Sequence, residues 1–257
     1  MKRVKKLIAL LMAVTLLAAV PSVAYAASGY VPTKATNYRF ENGVWEKGTE
    51  RTLSYNSSGK IKSISYKYSD GSAGWTKYTW KGNYITKVSD NDGDYSSFKY
   101  KGSKRKSAVY IYGSNKETIS YKWKKNKCIY KDGDYTVVLK INGKGQIVSE
   151  KQTGPGGTYI WTYKYYSNGN RKSYSFKGPS NSYTVKFNSN GYVKSEKGSS
   201  SRGSYSYIYS YKSKKGKITE KICKYNGKVS SKTVYSKWKK VSNIKNCDSF
   251  GYGSALG

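Results

Sequence analysis

Histidine is absent from the chain. Without it, neither a Ser-His-Asp triad nor a Cys-His pair can be assembled. Carboxylates are scarce as well: 14 Asp and Glu stand against 48 Lys and Arg, a formal net charge of +34. Glycosidase chemistry needs two facing acids, and Asp70, Asp92, Asp94, Asp132 and Asp134 all fall at predicted turns, where Asp beside Gly is ordinary turn chemistry. An enzyme is therefore not expected. Met is missing beyond residue 26, and the only Leu there are Leu53, Leu139 and Leu256, so any core is built from Tyr, Trp, Ile and Val. The chain has three Cys, and an odd number leaves a thiol unpaired or bridging between molecules. A Cys223–Cys247 bridge would tie the tail to a late strand, and Cys128 would remain. No Cys spacing suits a metal, and no cofactor or metal is expected. The run Asp90-Asn91-Asp92-Gly93-Asp94 has some of the residues of a calcium loop, but its Gly comes one place early and no Glu closes it. It reads as a hairpin turn.

What is present starts with a leader. Lys2, Arg3, Lys5 and Lys6 precede an apolar run, Leu7 to Val20, that is short for a membrane span. Ala24-Tyr25-Ala26 then offers a small-x-small cleavage site. Residues 1–26 are read as a secretory signal peptide cut after Ala26. No second long apolar run follows, so no membrane span is expected and the mature chain is read as secreted, with retention at the cell wall in view. Residues 27–38 read as a lead-in, 39–241 as a repeat domain and 242–257 as a flexible tail.

The repeat shows best in Ser182 to Glu196, SYTVKFNSNGYVKSE. Tyr183, Val185 and Phe187 alternate with Thr184 and Lys186, which places them on opposite faces of a strand. Asn188-Ser189-Asn190-Gly191 supplies a type I turn closed by a left-handed Gly in a G1 bulge. Turns of this class recur near Gly59, Gly82, Gly102, Asn126, Gly145, Gly169, Gly191 and Gly216. A second class falls between them, near Gly71, Gly93, Ser114, Gly133, Gly156, Ser180 and Ser200. Repetition at about 22 residues means an array whose neighbours complete each other's burial. The connections are too short for parallel crossovers, so the fold class is all-β, an antiparallel meander of about sixteen short strands. A flat sheet that wide curls, splits or closes; an open twisted sheet, a rolled cocoon and a barrel all satisfy the pattern. A membrane barrel is disfavoured, because the strands lack a consistent apolar set for lipid.

The units Tyr55 to Ile61 (YNSSGKI), Phe187 to Val193 (FNSNGYV) and Ile141 to Ile147 (INGKGQI) resemble the YD-repeat (Rhs-type) family, whose motif is Tyr-Asp-x-x-Gly-[Arg/Asn]-[Leu/Ile]. With degenerate copies the resemblance spans about residues 38 to 241. It implies an extracellular β-meander that rolls into a shell or carries interaction surfaces. Large members enclose a C-terminal toxin; with only a short stretch after the last predicted strand, none is expected here.

Function narrows to binding. A net charge of this size draws in polyanions. Candidate binding residues are the alternating rings Tyr159, Trp161, Tyr163 and Tyr165, the all-Tyr face Tyr205, Tyr207, Tyr209 and Tyr211, and the intercalated Lys164 and Lys186. Rings stack on sugars or bases and amines meet phosphate or carboxylate. The expected partner is an anionic cell-wall polymer or glycan of a bacterial envelope or matrix, with non-specific nucleic-acid binding as a corollary. The competing expectation is a structural protein whose sheet edges and Tyr faces pair with other copies or with a partner protein. The competing origin of the rings is the sheet's own core.

Overall fold

The structure is a computed structural model and describes residues 29–241 apart from 58, 83, 103, 168, 190 and 191. The leader, the tail with Cys247, and the Asn190-Gly191 part of the turn after Phe187 lie outside the described residues. Nineteen strands and no helix occur among them. In chain order these are β1 (Gly29–Glu41), β2 (Val44–Tyr55), β3 (Ile61–Lys67), β4 (Ala73–Lys81), β5 (Tyr84–Asp90), β6 (Tyr95–Lys101) and β7 (Lys104–Tyr112). Next come β8 (Asn115–Ser120), β9 (Lys122–Lys124), β10 (Lys127–Asp132), β11 (Tyr135–Ile141), β12 (Ile147–Gly154) and β13 (Gly157–Tyr165). The chain ends with β14 (Arg171–Lys177), β15 (Ser182–Phe187), β16 (Val193–Ser200), β17 (Gly203–Lys214), β18 (Lys217–Tyr225) and β19 (Lys228–Val241).

All pair antiparallel with their chain neighbours, with one interruption. Strands β8 and β9 are one extended segment broken at Tyr121, whose N–H donates to the Lys106 carbonyl at 3.0 Å. The first piece pairs with β7 and the second with β10. The array then turns back on itself: β1 pairs with β19 from Gly29↔Val241 to Arg39↔Ser231. The result is one nearly closed, barrel-like sheet of nineteen antiparallel strands. This corrects the expected count of about sixteen and, among the shapes the pattern allowed, excludes the open sheet. Most of the lead-in segment is strand β1 itself. It carries no Asn-Gly signal at its start, and its partner β19 lies at the other end of the sequence.

The turn chemistry explains the register. Asn142 N–H donates to Gln146 carbonyl at 2.9 Å and Gly145 takes φ +77°, with a bulge between Lys140 and Ile141. The same geometry recurs at Asn56–Lys60 and Tyr166–Asn170. Each bulge adds one residue and restores the parity that keeps Tyr55, Ile141, Tyr165 and Phe187 on the inner face.

Strict alternation fills the interior. On β10 and β11, Cys128, Tyr130, Val137, Leu139 and Ile141 are buried, while Lys127, Lys131 and Lys140 are exposed. Buried inner-face residues form two cores, a large one running from Ile85 to Val193 and a small one of Val31, Leu53, Tyr55, Ile61, Ile64 and Val241. Cys128 and Cys223 are buried free thiols.

Hairpins are latched to their predecessors by aromatic side chains. Trp80 and Trp123 donate indole N–H to the carbonyls of Ile61 and Arg105 at 2.7 and 2.8 Å. Tyr100, Tyr165 and Tyr211 donate hydroxyls to Ile85, Ile147 and Val193 at 3.0, 2.7 and 2.7 Å. Each ring is half-buried while its polar tip closes a backbone carbonyl.

Candidate anion-binding surface

Because the strands alternate direction, the two classes of turn lie on opposite rims. The rim built from the connections β2–β3, β4–β5, β6–β7, β9–β10, β11–β12, β13–β14, β15–β16 and β17–β18 contains no Asp or Glu in any turn. It contains Lys60, Lys104, Lys125, Lys144, Lys172 and Lys215, among others. The opposite rim holds most of the acids, including Asp70, Asp90, Asp92, Asp94, Asp132 and Asp134. There Asp90 Oδ1 accepts the N–H groups of Asp92 and Asp94 at 3.1 and 3.2 Å, and Asp94 accepts that of Gly113 at 2.8 Å. These are turn-closing contacts.

The basic rim is braced turn to turn. The Lys60 amine reaches the Gly82 carbonyl, and Lys104 reaches Lys125 at 2.8 Å. Gln146 donates to Gly169 at 3.2 Å and Asn170 to Ser189 at 2.8 Å. Lys60, Lys104 and Lys217 sit 5.3, 5.8 and 5.5 Å from the ring centres of Trp80, Trp123 and Trp238. The amines are thereby held near the rim by contacts of modest strength at exposed sites.

The charge asymmetry continues onto the outer face of β11 to β17. Its only carboxylates in this stretch, Glu150 and Glu196, point inward and are 2% and 4% exposed. Outward, exposed Lys alternate with hydroxyls across the ladder. Lys164 pairs with Ser173, which pairs with Lys186. In the next row Lys140, Ser149, Thr162, Ser175, Thr184 and Lys197 follow one another. Two strand spacings separate Lys164 from Lys186, about 9.5 Å. The outer face therefore presents amines in mid-strand, where a lipid-facing strand carries apolar residues.

The candidate rings occupy the other side. Trp161 and Tyr163 are core residues, and Tyr159 and Tyr165 pack against them. Tyr159 donates to the Gly156 carbonyl at 3.0 Å. Tyr205 donates to Glu196 Oε1 at 2.9 Å, Tyr207 stacks on Tyr209 at 6.5 Å, and Tyr211 belongs to the latch described above. All eight rings face inward, whereas Lys164 and Lys186 are exposed on the outer face. Strand parity separates these eight rings from the amines that neighbour them in sequence.

The interior also holds charges that the turn-centred reading of the acids passes over. Glu150 accepts the Gln152 amide at 2.8 Å, yet burial pushes its carboxyl up to about 7. Burial, then the neighbouring Glu117, raises Asp132 to about 7. Arg105 and Arg171, 3% and 4% exposed, lie over rings: Arg105 over Phe98 at 4.2 Å and Arg171 over Tyr163 at 5.2 Å. The available signal was parity: Glu150 and Glu196 fall in phase with Trp161 and Val185, not with the lysines.

No protein-family model and no curated protein matches the chain. Among solved structures it is similar to a porin-like protein from Bacteroides vulgatus, at 13% identity over 80% of this chain and 97% of that one, with a TM-score of 0.40. A porin-like protein from Bacteroides uniformis matches at 11% identity, over 80% and 97% of the two chains, with a TM-score of 0.28. A Photorhabdus luminescens Tc holotoxin pore matches at 12% identity and a TM-score of 0.35, over 82% of this chain and 13% of the toxin chain. Likenesses this distant say nothing of what the chain binds.

Proposed function

We propose that the chain is an exported, non-catalytic binding protein that holds anionic polymer of the cell envelope or matrix on its basic rim and the lysine rows of β11 to β17. The observation that carries this reading is the segregation of charge. Eight turns on one rim lack any carboxylate, while Glu150 and Glu196 are turned into the core at the cost of burying them. Solubility alone asks only for mixed charge; a surface of one sign attracts polymer of the other.

The contact is electrostatic and tolerant of sequence or sugar type, because the lysine rows of β11 to β17 offer amines interspersed with hydroxyls. Teichoic-type polyphosphates, acidic glycans and nucleic acid all present suitable charge. The competing reading by sheet-edge pairing loses β1 and β19, which cover each other along ten paired positions, and keeps the seam at β8, whose ladder is with β7. Retention on purified cell wall, heparin and DNA across a salt titration tests the proposal. Release by roughly 0.5 M salt is expected; retention independent of salt contradicts it.

A further inference from the structure

The interior is not filled throughout. A cavity of about 320 Å³ lies behind β1, β2 and β17 to β19, with Val193 of β16 reaching it as well. That volume lies at the lower end of ligand pockets, enough for one small molecule. Its polar wall runs across adjacent strands: Lys221 pairs with Thr233, and Thr233 with Asn37. Arg51, opposite Ala35, completes it. The ladder shifts register between Thr36 and Tyr38, so Asn37 sits in a bulge that aims its amide inward beside Thr233, 3.4 Å from the Thr233 hydroxyl. Tyr207 and Tyr209 form a second wall, their rings 22° from parallel. Asn37, Arg51, Tyr207 and Ser231 are half-buried, so the space communicates with solvent, whereas Lys221 is 7% exposed.

The chemistry of the lining is selective. It offers two cations, an amide, hydroxyls and two ring faces, and no carboxylate. Glu196, opposite Tyr207 in the ladder, is engaged by the Tyr205 hydroxyl. Two cations in a lining without a carboxylate favour an anion, hydroxyls and an amide suit a polyol, and ring faces suit the apolar side of a pyranose. We infer that this cavity is a binding site for a small anionic sugar, a sugar acid or sugar phosphate, with its charge between Arg51 and Lys221 and its ring against Tyr207 and Tyr209. The inference does not depend on polymer binding at the outer surface, which uses other residues on the opposite face of the sheet.

Cys223 lines the same cavity and serves as an internal reporter, while Cys128 is fully buried in the large core. The test uses the exported chain with Cys247→Ser, follows alkylation of Cys223, and measures binding by calorimetry. The probes are glucuronate, glucose 6-phosphate, glucose and inorganic phosphate. Saturable binding of glucuronate or glucose 6-phosphate, with several-fold slower alkylation of Cys223, is expected; which of the two binds identifies the anionic group. Lys221→Met and Arg51→Gln should each weaken that binding by about tenfold or more, and Lys164→Gln with Lys186→Gln should leave it unchanged. Protection of Cys223 in the chain with its lining intact decides the matter even if the cavity variants fold poorly. Absence of binding and protection by both anionic sugars overturns the inference, as does equal protection by glucose or by inorganic phosphate alone.

Discussion

Trp80 donates its indole N–H to the Ile61 carbonyl at 2.7 Å, from one hairpin to the hairpin before it. Tyr165 repeats the contact on Ile147 at the same distance. Repeats of this kind bury little alone, so such latches are where the array gains cohesion. Tyr165→Phe keeps the ring and deletes the donor, leaving the Ile147 carbonyl without that partner. A loss of about 1–2 kcal/mol in urea unfolding is expected. Tyr159→Phe, whose hydroxyl meets the exposed Gly156 carbonyl, should cost less. Equal effects would remove the latch from the account.

The buried acid predicts a pH dependence with a definite sign. Glu150 has its folded carboxyl raised to about 7 from an ordinary value of 4.5, with burial the main cause. The folded state therefore holds the proton more tightly than the unfolded chain. Its contribution is fully present below the ordinary carboxylate range and is lost as pH rises through about 7. Asp132 acts in the same direction. The free energy of unfolding should fall between pH 5 and pH 8, and Glu150→Gln should reduce the fall by an amount on the order of 3 kcal/mol. A wild-type profile that rises over that window contradicts the burial argument.

Closure makes a third prediction. Deleting residues 29–41 removes β1, uncovers β2 and β19, and takes away the Pro32 carbonyl that accepts the Tyr55 hydroxyl at 3.0 Å. Bare strand edges pair with other chains. Sedimentation velocity should show association in the shortened chain and a monomer in the parent. A shortened chain that remains monomeric, with an unchanged melt, would mean that the β1–β19 pairing does not hold the sheet together.

Much of this architecture was legible in the chain. Asn142-Gly143-Lys144-Gly145 and its counterparts specify turns by local stereochemistry, so the meander and the G1 bulges follow from a few residues at a time, while which face of β15 turns inward was left open. Pairing of Gly29 with Val241 did not follow, because no local signal encodes a partner at the far end of the sequence. The candidate site divided along the same line. Lys164 and Lys186 are outward, as parity requires, but whether Tyr163 and Tyr165 were core or surface depended on closure, which turns their shared face into an interior. The cavity beside Lys221 was not legible at all, since Arg51, Asn37 and Tyr207 meet only once the ends join. The charge asymmetry of the rims was legible in principle: sorting the turns into their two classes separates Asp70, Asp92 and Asp132 from Lys60, Lys125 and Lys144.

The central claim is that polymer binds to the one-signed surface. Its most direct test is the salt dependence of affinity for a polyglycerol phosphate of defined length. The parent chain is compared with a variant carrying Lys144→Gln, Lys164→Gln, Lys172→Gln and Lys186→Gln. A control carries Lys67→Gln and Lys116→Gln near the acidic rim. Affinity should fall steeply with salt. The four-fold variant should show a shallower slope, by about 0.7 for each phosphate it no longer neutralises, while the control keeps the parent's slope. Equal slopes for all three proteins would contradict the account.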